Sequence, residues 1–411
     1  MTLELPDGLD ANETPAGACV RAEIEEHGRI TFARFMEIAL YGPQVGYYEA
    51  RAAEDFRRDY VTSPEVHPAF GALLCGQLEE MWRRLGRPGE FWLVEGGPGT
   101  GALAGDVLAM AEEAFPAFFR ALRFALVERS APLREVQRTT LAPWGGSIAW
   151  LDVEESPVAL GPGCVFANEL LDAFPVHRVA MRPKGLQEIY VSLSGEGFGE
   201  VEDVPSTPAL EQQIQAGRGQ LRIGDRVDVN LASPLGVKSA ARLLERGYLL
   251  LLDYGEPADL LYGERHPRGT LRCYSRHTMN EKPYARVGLQ DITAHVDLSA
   301  VARAGVESGF ELVAATHQAH LLNRLGLDSI RCAINQGVAA RVEERAHHAA
   351  LDLLSDARHL GRISALLLGK GIPAEPLTGF REGGRLAPLR TDRVLDLRLS
   401  DAVRLAEGLR G

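Results

Sequence analysis

The stretch from Phe91 to Leu108 constrains this chain more than any other. It opens on a short apolar run, Phe91-Trp-Leu-Val94, of the kind that forms a buried parallel strand. Glu95 follows, then glycines at 96, 97, 99 and 101. Beyond them Leu103, Val107, Leu108 and Met110 recur at helical spacing. Strand, glycine turn and helix make the first unit of a doubly wound nucleotide-binding fold. Glycine suits that turn because the backbone must reverse tightly and leave no Cβ in a ligand's path.

The ligand is read from the phase of the glycines. A dinucleotide fingerprint can be laid on Gly99, Gly101 and Ala104. The better phasing is Glu95-x-Gly97-x-Gly99-x-Gly101, which resembles the first motif of S-adenosylmethionine (SAM) methyltransferases. A pyrophosphate favours a helix N-terminus without a carboxylate beside it. SAM carries an ammonium and a sulfonium and no phosphate, so Glu95 would attract it.

The rest of the chain sets bounds. At 411 residues and 45% hydrophobic it can bury one large core with additions. A formal charge of -12 argues against nucleic acid as the main partner. The five cysteines (19, 75, 164, 273, 332) show no Cys-x-x-Cys and no zinc spacing, so no metal is expected and the thiols read as free. No apolar run reaches transmembrane length, and the acidic N-terminus does not read as a signal peptide. The expectation is a soluble, cytoplasmic protein with no membrane contact.

Periodicity and turn residues divide the chain as follows. Residues 1–58 form an N-terminal helical segment, loose as far as 16, with a later helix capped by Thr31. The alternating core takes 59–180 and 236–316, with strands near 91–95, 122–128, 147–151, 164–167, 247–253 and 309–313. A β-rich insertion takes 181–235, and a second insertion, 254–298, lies within the core. Helices fill 317–371, and 372–411, rich in Gly and Pro, reads as a partly ordered tail. A helix is expected over 237–246.

Several polar residues fall where such folds do chemistry. Glu128 ends the second strand, where an acid reaches ribose hydroxyls. Asp152 follows the third strand, where an acid can accept from an adenine amino group. Asn168 and Glu169 end the fourth strand, with Asp172 three residues on. Carboxylates there can hold a cationic acceptor or steer a proton; alternatively they cap the next helix. In Gln290–Asp297, Asp291, Thr293, His295 and Asp297 alternate with apolar residues and would share one face of a strand. His295 between acids reads as a general base, a metal ligand or part of a hydrogen-bonded structural strand.

Several blocks together resemble one family. Phe35–Tyr48, Tyr60–Gly71, the glycine loop, Phe166–Arg178, Leu252–Gly255, Arg268–Tyr274 and Gly288–Asp297 look like the MidA family, over about residues 20–370 and in family order. That resemblance implies an α/β, doubly wound Rossmann-like SAM methyltransferase fold with N-terminal helices and two insertions. Mitochondrial members methylate an arginine of a respiratory complex I subunit. Carried over by position, Gly97, Gly99 and Gly101 would line the cofactor, Glu95 would sit near its methionine end, and Glu128 would take the ribose. Asn168 and Glu169 would lie beside the transferred methyl, and the block from Thr62 and Ser63 to Glu65 would close over the cofactor from the N-terminal side. The family loop commonly has Arg where Thr100 stands.

The implied reaction is methyl transfer from SAM to an arginine side chain of a protein. Asn168, Glu169, Asp172, Asp291 and His295 are the catalytic candidates. Three rivals stand beside it: a small-molecule O- or N-methyltransferase with His295 or Asp291 as base, a non-catalytic SAM-binding assembly factor, and a nicotinamide-dependent dehydrogenase. The reading leaves room for a homodimer.

Overall fold

A computed structural model describes residues 14–50, 61–152, 159–195, 197–335, 341–372 and 375–386. The helices used below are α1 (Pro15–His27), α2 (Phe32–Tyr41), α3 (Ala69–Arg84), α4 (Ala102–Ala114), α5 (Ala131–Thr140), α6 (Ala232–Arg242), α7 (Leu298–Glu307), α8 (Gln318–Leu325) and α9 (Arg341–Ser355). The central sheet has seven strands: β1 (Phe91–Gly96), β2 (Leu122–Val127), β3 (Ile148–Leu151), β4 (Gly161–Asn168), β5 (Leu244–Asp253), β6 (Glu311–His317) and β7 (Ser364–Lys370).

Their order is β3-β2-β1-β4-β5-β7-β6. The first five run parallel to their neighbours. β7 is antiparallel to both β5 and β6. Strand order reverses between β1 and β4, and ligands bind open parallel sheets beyond the strand ends at such a point. Both faces are buried, and side chains alternate between them. Leu93, Phe124, Phe166, Leu250 and Leu367 pack into one core with α3 and α4. Val94, Ala125, Val165, Leu249 and Leu366 pack into the other, with Val237 of α6 and Val301 of α7.

Several elements differ from the sequence reading. α1 starts at Pro15, inside the stretch expected to be loose, because the Thr14 hydroxyl accepts the Gly17 N–H at 2.9 Å. Residues 1–13 and 51–60 lie outside the described residues. α6 begins five residues before the expected 237. The Asn230 side-chain oxygen Oδ1 accepts the N–H groups of Ala232 and Ser233, and Leu244 already belongs to β5. The segment 317–371 is not all helical, since β7 is its last element. Residues 375–386 of the expected tail are placed on α3: the N–H groups of Thr378 and Gly379 bond Glu80 and Gln77, each at 2.9 Å, and Leu377 and Phe380 are buried. The remainder, 387–411, lies outside the described residues.

The N-terminal helices and the two insertions share structure. The first insertion is a five-stranded sheet that starts at His177, and its edge strand is Ile30–Thr31. The second carries a three-stranded sheet that includes Asp291–Thr293. Phe32, Phe35 and Met36 of α2 pack in one core with Val191 of the first insertion and Leu271 and Ile292 of the second. Tyr41 ties this layer to the loop after β4 by donating to the Ala173 carbonyl at 2.9 Å.

Candidate active site

The glycine loop leaves β1 at the switch point. Gly97, Gly99 and Gly101 have φ of 61°, 53° and 81°, a region other residues rarely adopt. A Cβ on Gly97 would lie 2.7 Å from Leu170 Cδ1, whereas one on Gly99 would meet no atom within 4 Å. Gly99 therefore borders open space. Glu95, on the strand just before the loop, is buried; its Oε2 has no hydrogen-bond partner among the described residues. Burial raises its carboxyl to about 8. The Thr100 hydroxyl donates to Glu65, a link between the loop and the short helix Ser63–Val66.

Glu128, just past β2, completes one side of the site. Its Oε1 accepts the Ser130 N–H at 2.8 Å and its Oε2 accepts Gln137 Nε2 at 3.2 Å. Burial raises its carboxyl, and these two bonds oppose the rise. The same Gln137 amide nitrogen donates to the Gly99 carbonyl at 2.8 Å, and its oxygen accepts from Trp150 at 2.9 Å. One buried amide on α5 thus holds the loop against the end of β2. Nothing near Gln137 in sequence marks it; its register on α5 is the only signal.

These groups border a cavity of about 810 Å³, within the range of small-molecule sites. Of the expected cofactor residues, Thr62, Glu95, Gly97, Gly99, Glu128, Asn168 and Glu169 line it. Three do not. Gly101 opens α4 and faces Leu141. Ser63 is buried behind the wall, its N–H on Glu169 Oε1 at 3.1 Å and its hydroxyl on Gln318 at 2.9 Å. Asp152 is exposed just past the short edge strand β3 and is not among the residues that line the cavity.

A second cavity, of about 900 Å³, meets the first at Tyr48, Thr62 and Glu169. Glu169 stands at the junction in a left-handed conformation, φ 50°. Strained backbone of this kind needs support from its surroundings. The Glu169 N–H bonds the Leu252 carbonyl at 2.8 Å. Asp253, at the end of β5, takes the N–H groups of Leu170 and Leu171 on Oδ2 at 3.2 and 2.7 Å. The Glu169 side chain accepts from Ser63 N and Asn168 Nδ2, both on Oε1, which leaves Oε2 without a partner among the described residues. Asn168 Oδ1 is likewise buried and unpartnered. Burial lifts Glu169 to about 7 and Asp253 to about 7. It lifts Asp172 well above the carboxylate range, helped by the charges of Asp253, Glu169 and Asp291. Asp253 was not singled out from the sequence, although its place at a strand end beside β4 is a usable signal.

The second cavity joins acids to aromatic rings. Asp172, Asp291, Tyr48, Tyr254 and Tyr274 all line it. Tyr48 donates to Asp291 Oδ1 at 2.8 Å. The expected strand with four polar residues on one face is broken after Thr293. Asp291, Thr293 and His295 do line the cavity, but Asp297 turns away to cap α7, accepting the Ala300 N–H at 2.9 Å. His295 Nδ1 is buried without a partner among the described residues, and burial, with Arg362 nearby, lowers the ring to about 4. Its imidazole is neutral at pH 7 and a weak base.

Comparisons with known proteins give the family and the cofactor. Residues 73–316 match the sequence model of a family described as S-adenosyl-L-methionine-dependent methyltransferase. The mitochondrial protein arginine methyltransferase NDUFAF7 homolog of Drosophila melanogaster is 30% identical over 328 residues, 72% of each chain. Human protein arginine methyltransferase NDUFAF7 is 28% identical over 325 residues, 72% of this chain and 70% of its own. A crystal structure from Burkholderia thailandensis, bound to S-adenosyl-homocysteine, is 32% identical with a TM-score of 0.81, over 93% of this chain and 99% of that one.

Proposed function

The chain belongs to the MidA family of SAM-dependent methyltransferases, and on that basis we propose that it methylates an arginine side chain of a protein. SAM, when bound, supplies an electrophilic methyl group on a sulfonium. In the proposed arrangement the unpaired Glu95 carboxylate takes the ammonium of the cofactor and Glu128 takes its ribose hydroxyls. Gly97 and Gly99 let it lie against the backbone. Thr62 borders it from the N-terminal side, while Ser63 and Gly101 act through the groups they hold. Asp152 has no part in the proposal, because it does not line the cavity.

The acceptor side follows from charge. A guanidinium is planar, cationic and a poor nucleophile, because it holds its proton to a pKa above ~12. Carboxylates can fix it by paired hydrogen bonds and take up its proton as the new bond forms. Asp172 and Asp291 would bind and orient it, and Glu169 would accept the proton. The carrying observation is the position of Glu169, on both cavities at once, with a carboxyl raised to about 7. The names of the similar mitochondrial proteins support the same acceptor. His295, lowered to about 4, is too weak a base to favour the hydroxyl-methylating alternative.

The test is transfer of a labelled methyl group to arginine-containing protein, with hydrolysis to identify methylarginine. Glu169→Gln should lower kcat by about 10²–10⁴, the usual weight of a positioned base. In the unsubstituted enzyme kcat/KM should rise with pH through about 7, as Glu169 ionises. Label recovered only in a small molecule, with loss on His295→Ala, would overturn the arginine assignment.

A further inference from the structure

The cavity proposed to hold the acceptor has carboxyl groups at its floor and arginines at its mouth. Its acids are deep: Asp172 and Asp291 are 6% and 4% exposed. Its arginines are shallow. The Arg358 side chain is 85% exposed and that of Arg272 is 35% exposed, and Arg362 is exposed as well. Arg272 pairs with Glu281 at 3.2 Å and Arg358 with Asp356 at 2.6 Å. Exposed pairs of this kind exchange partners at little cost. The Arg362 guanidinium lies over the Tyr254 ring, 5.2 Å from its centroid, and no carboxylate among the described residues pairs with it. A chain of net charge -12 thus presents a group of arginines at the mouth of an acid-floored cavity.

We propose that the acceptor segment is acidic on either side of its target arginine. This rests on the arginine-acceptor reading and narrows it. The target side chain descends to Asp172 and Asp291 and reaches Glu169. Neighbouring residues of an extended peptide, spaced about 3.3–3.6 Å apart along the chain, stay at the mouth. Aspartate or glutamate there pairs with Arg362 and draws Arg358 and Arg272 from their surface partners. Lysine or arginine there meets three like charges. Arg362 acts as a specificity residue, and the same charge pattern speeds encounter with acidic segments.

The experiment uses the full chain loaded with S-adenosyl-homocysteine. Binding of fluorescent peptides with a central arginine is measured by anisotropy, with flanks of Glu/Asp, Gln/Asn or Lys. The acid-flanked peptide should bind at least tenfold more tightly than the neutral one at low salt. The gap should close in 1 M salt, where the screening length falls to about 3 Å. Arg362→Glu, and separately Arg358→Glu, should erase or reverse the order while binding of S-adenosyl-homocysteine, which reports folding, is unchanged. Equal binding of the three peptides, or an order untouched by both charge reversals, would overturn the proposal. So would displacement of the acid-flanked peptide by a short single-stranded RNA at lower concentration than by unlabelled peptide. Mass spectrometry separates the two readings. Methylarginine formed equally in all peptides leaves the acceptor standing and removes the flank rule. An intact flank preference without methylarginine does the reverse.

Discussion

Two glutamates carry the residue-scale argument. Glu95 is buried and Glu169 half-buried, and the carboxyls of both are raised towards neutrality by desolvation. A carboxyl at about 8 is mostly protonated at pH 7, yet the proposed contact with an ammonium needs it ionised. Cofactor binding at pH 7 should therefore release close to one proton. Calorimetric titration with SAM in two buffers of different ionisation enthalpy measures this. Glu95→Gln should abolish the release and weaken binding, and an unchanged proton count would remove Glu95 from the ammonium site. Glu95 and the loop glycines were legible because their chemistry is tied to a strand-turn-helix pattern that one stretch of sequence displays. Asp253 and Gln137 were not. Each works on groups far away in the chain: Asp253 on the N–H groups of Leu170 and Leu171, Gln137 on Gly99 and Glu128. No local pattern announces such pairings.

At the scale of elements, β7 is the instructive case. Ala365-Leu-Leu-Leu368 is a short apolar run, and period alone does not separate a buried strand from a buried helix. The preceding helices α8 and α9 made the helical reading natural. The structure places β7 between β5 and β6, with Leu250 opposite Leu367 and both sheet faces covered. Leu367 is fully buried. Leu367→Ala should destabilise the protein by about 2–5 kcal/mol, the range for a leucine removed from a packed core. Chemical denaturation reads it, and a change under ~0.5 kcal/mol would place this segment outside the sheet. The other strands of the sheet were visible because the alternation of chain elements, strand then helix, is itself a sequence pattern. The insertions were visible only as β-rich. Their bounds depend on partners such as Ile30–Thr31, more than a hundred residues from the strand they join.

For the whole molecule, buried titratable groups set a pH window of stability. Glu95 and Glu169 keep their protons in the folded state to about 8 and about 7, well above the ordinary value of 4.5. Between those limits the folded protein holds more protons than the unfolded one, so stability falls as pH rises. His295 and His67 are lowered to about 4 and about 3 from 6.5, chiefly by burial. At these two histidines the unfolded chain holds more protons, so their own contribution falls as pH drops below 6.5. Between about 4.5 and 6.5 the two sets oppose each other, so the ligand-free protein should lose stability chiefly as pH rises from about 6.5 to 8, as a thermal melting series would show. Glu95→Gln should flatten the alkaline side. A Tm that climbs steadily from pH 6 to 8 would contradict these burial effects.

The position of β7 also bears on how the chain is made. β5 is synthesised more than a hundred residues before its neighbour on one side, which follows α9. On a ribosome adding about 5–20 residues per second, that edge would wait on the order of ten seconds for its partner. An unpaired, leucine-rich edge is a template for the wrong strand. The nascent protein is then most exposed to self-association just when its ligand cavity is otherwise assembled. Its yield in a cell should depend on what shields Leu249–Leu252 during that interval.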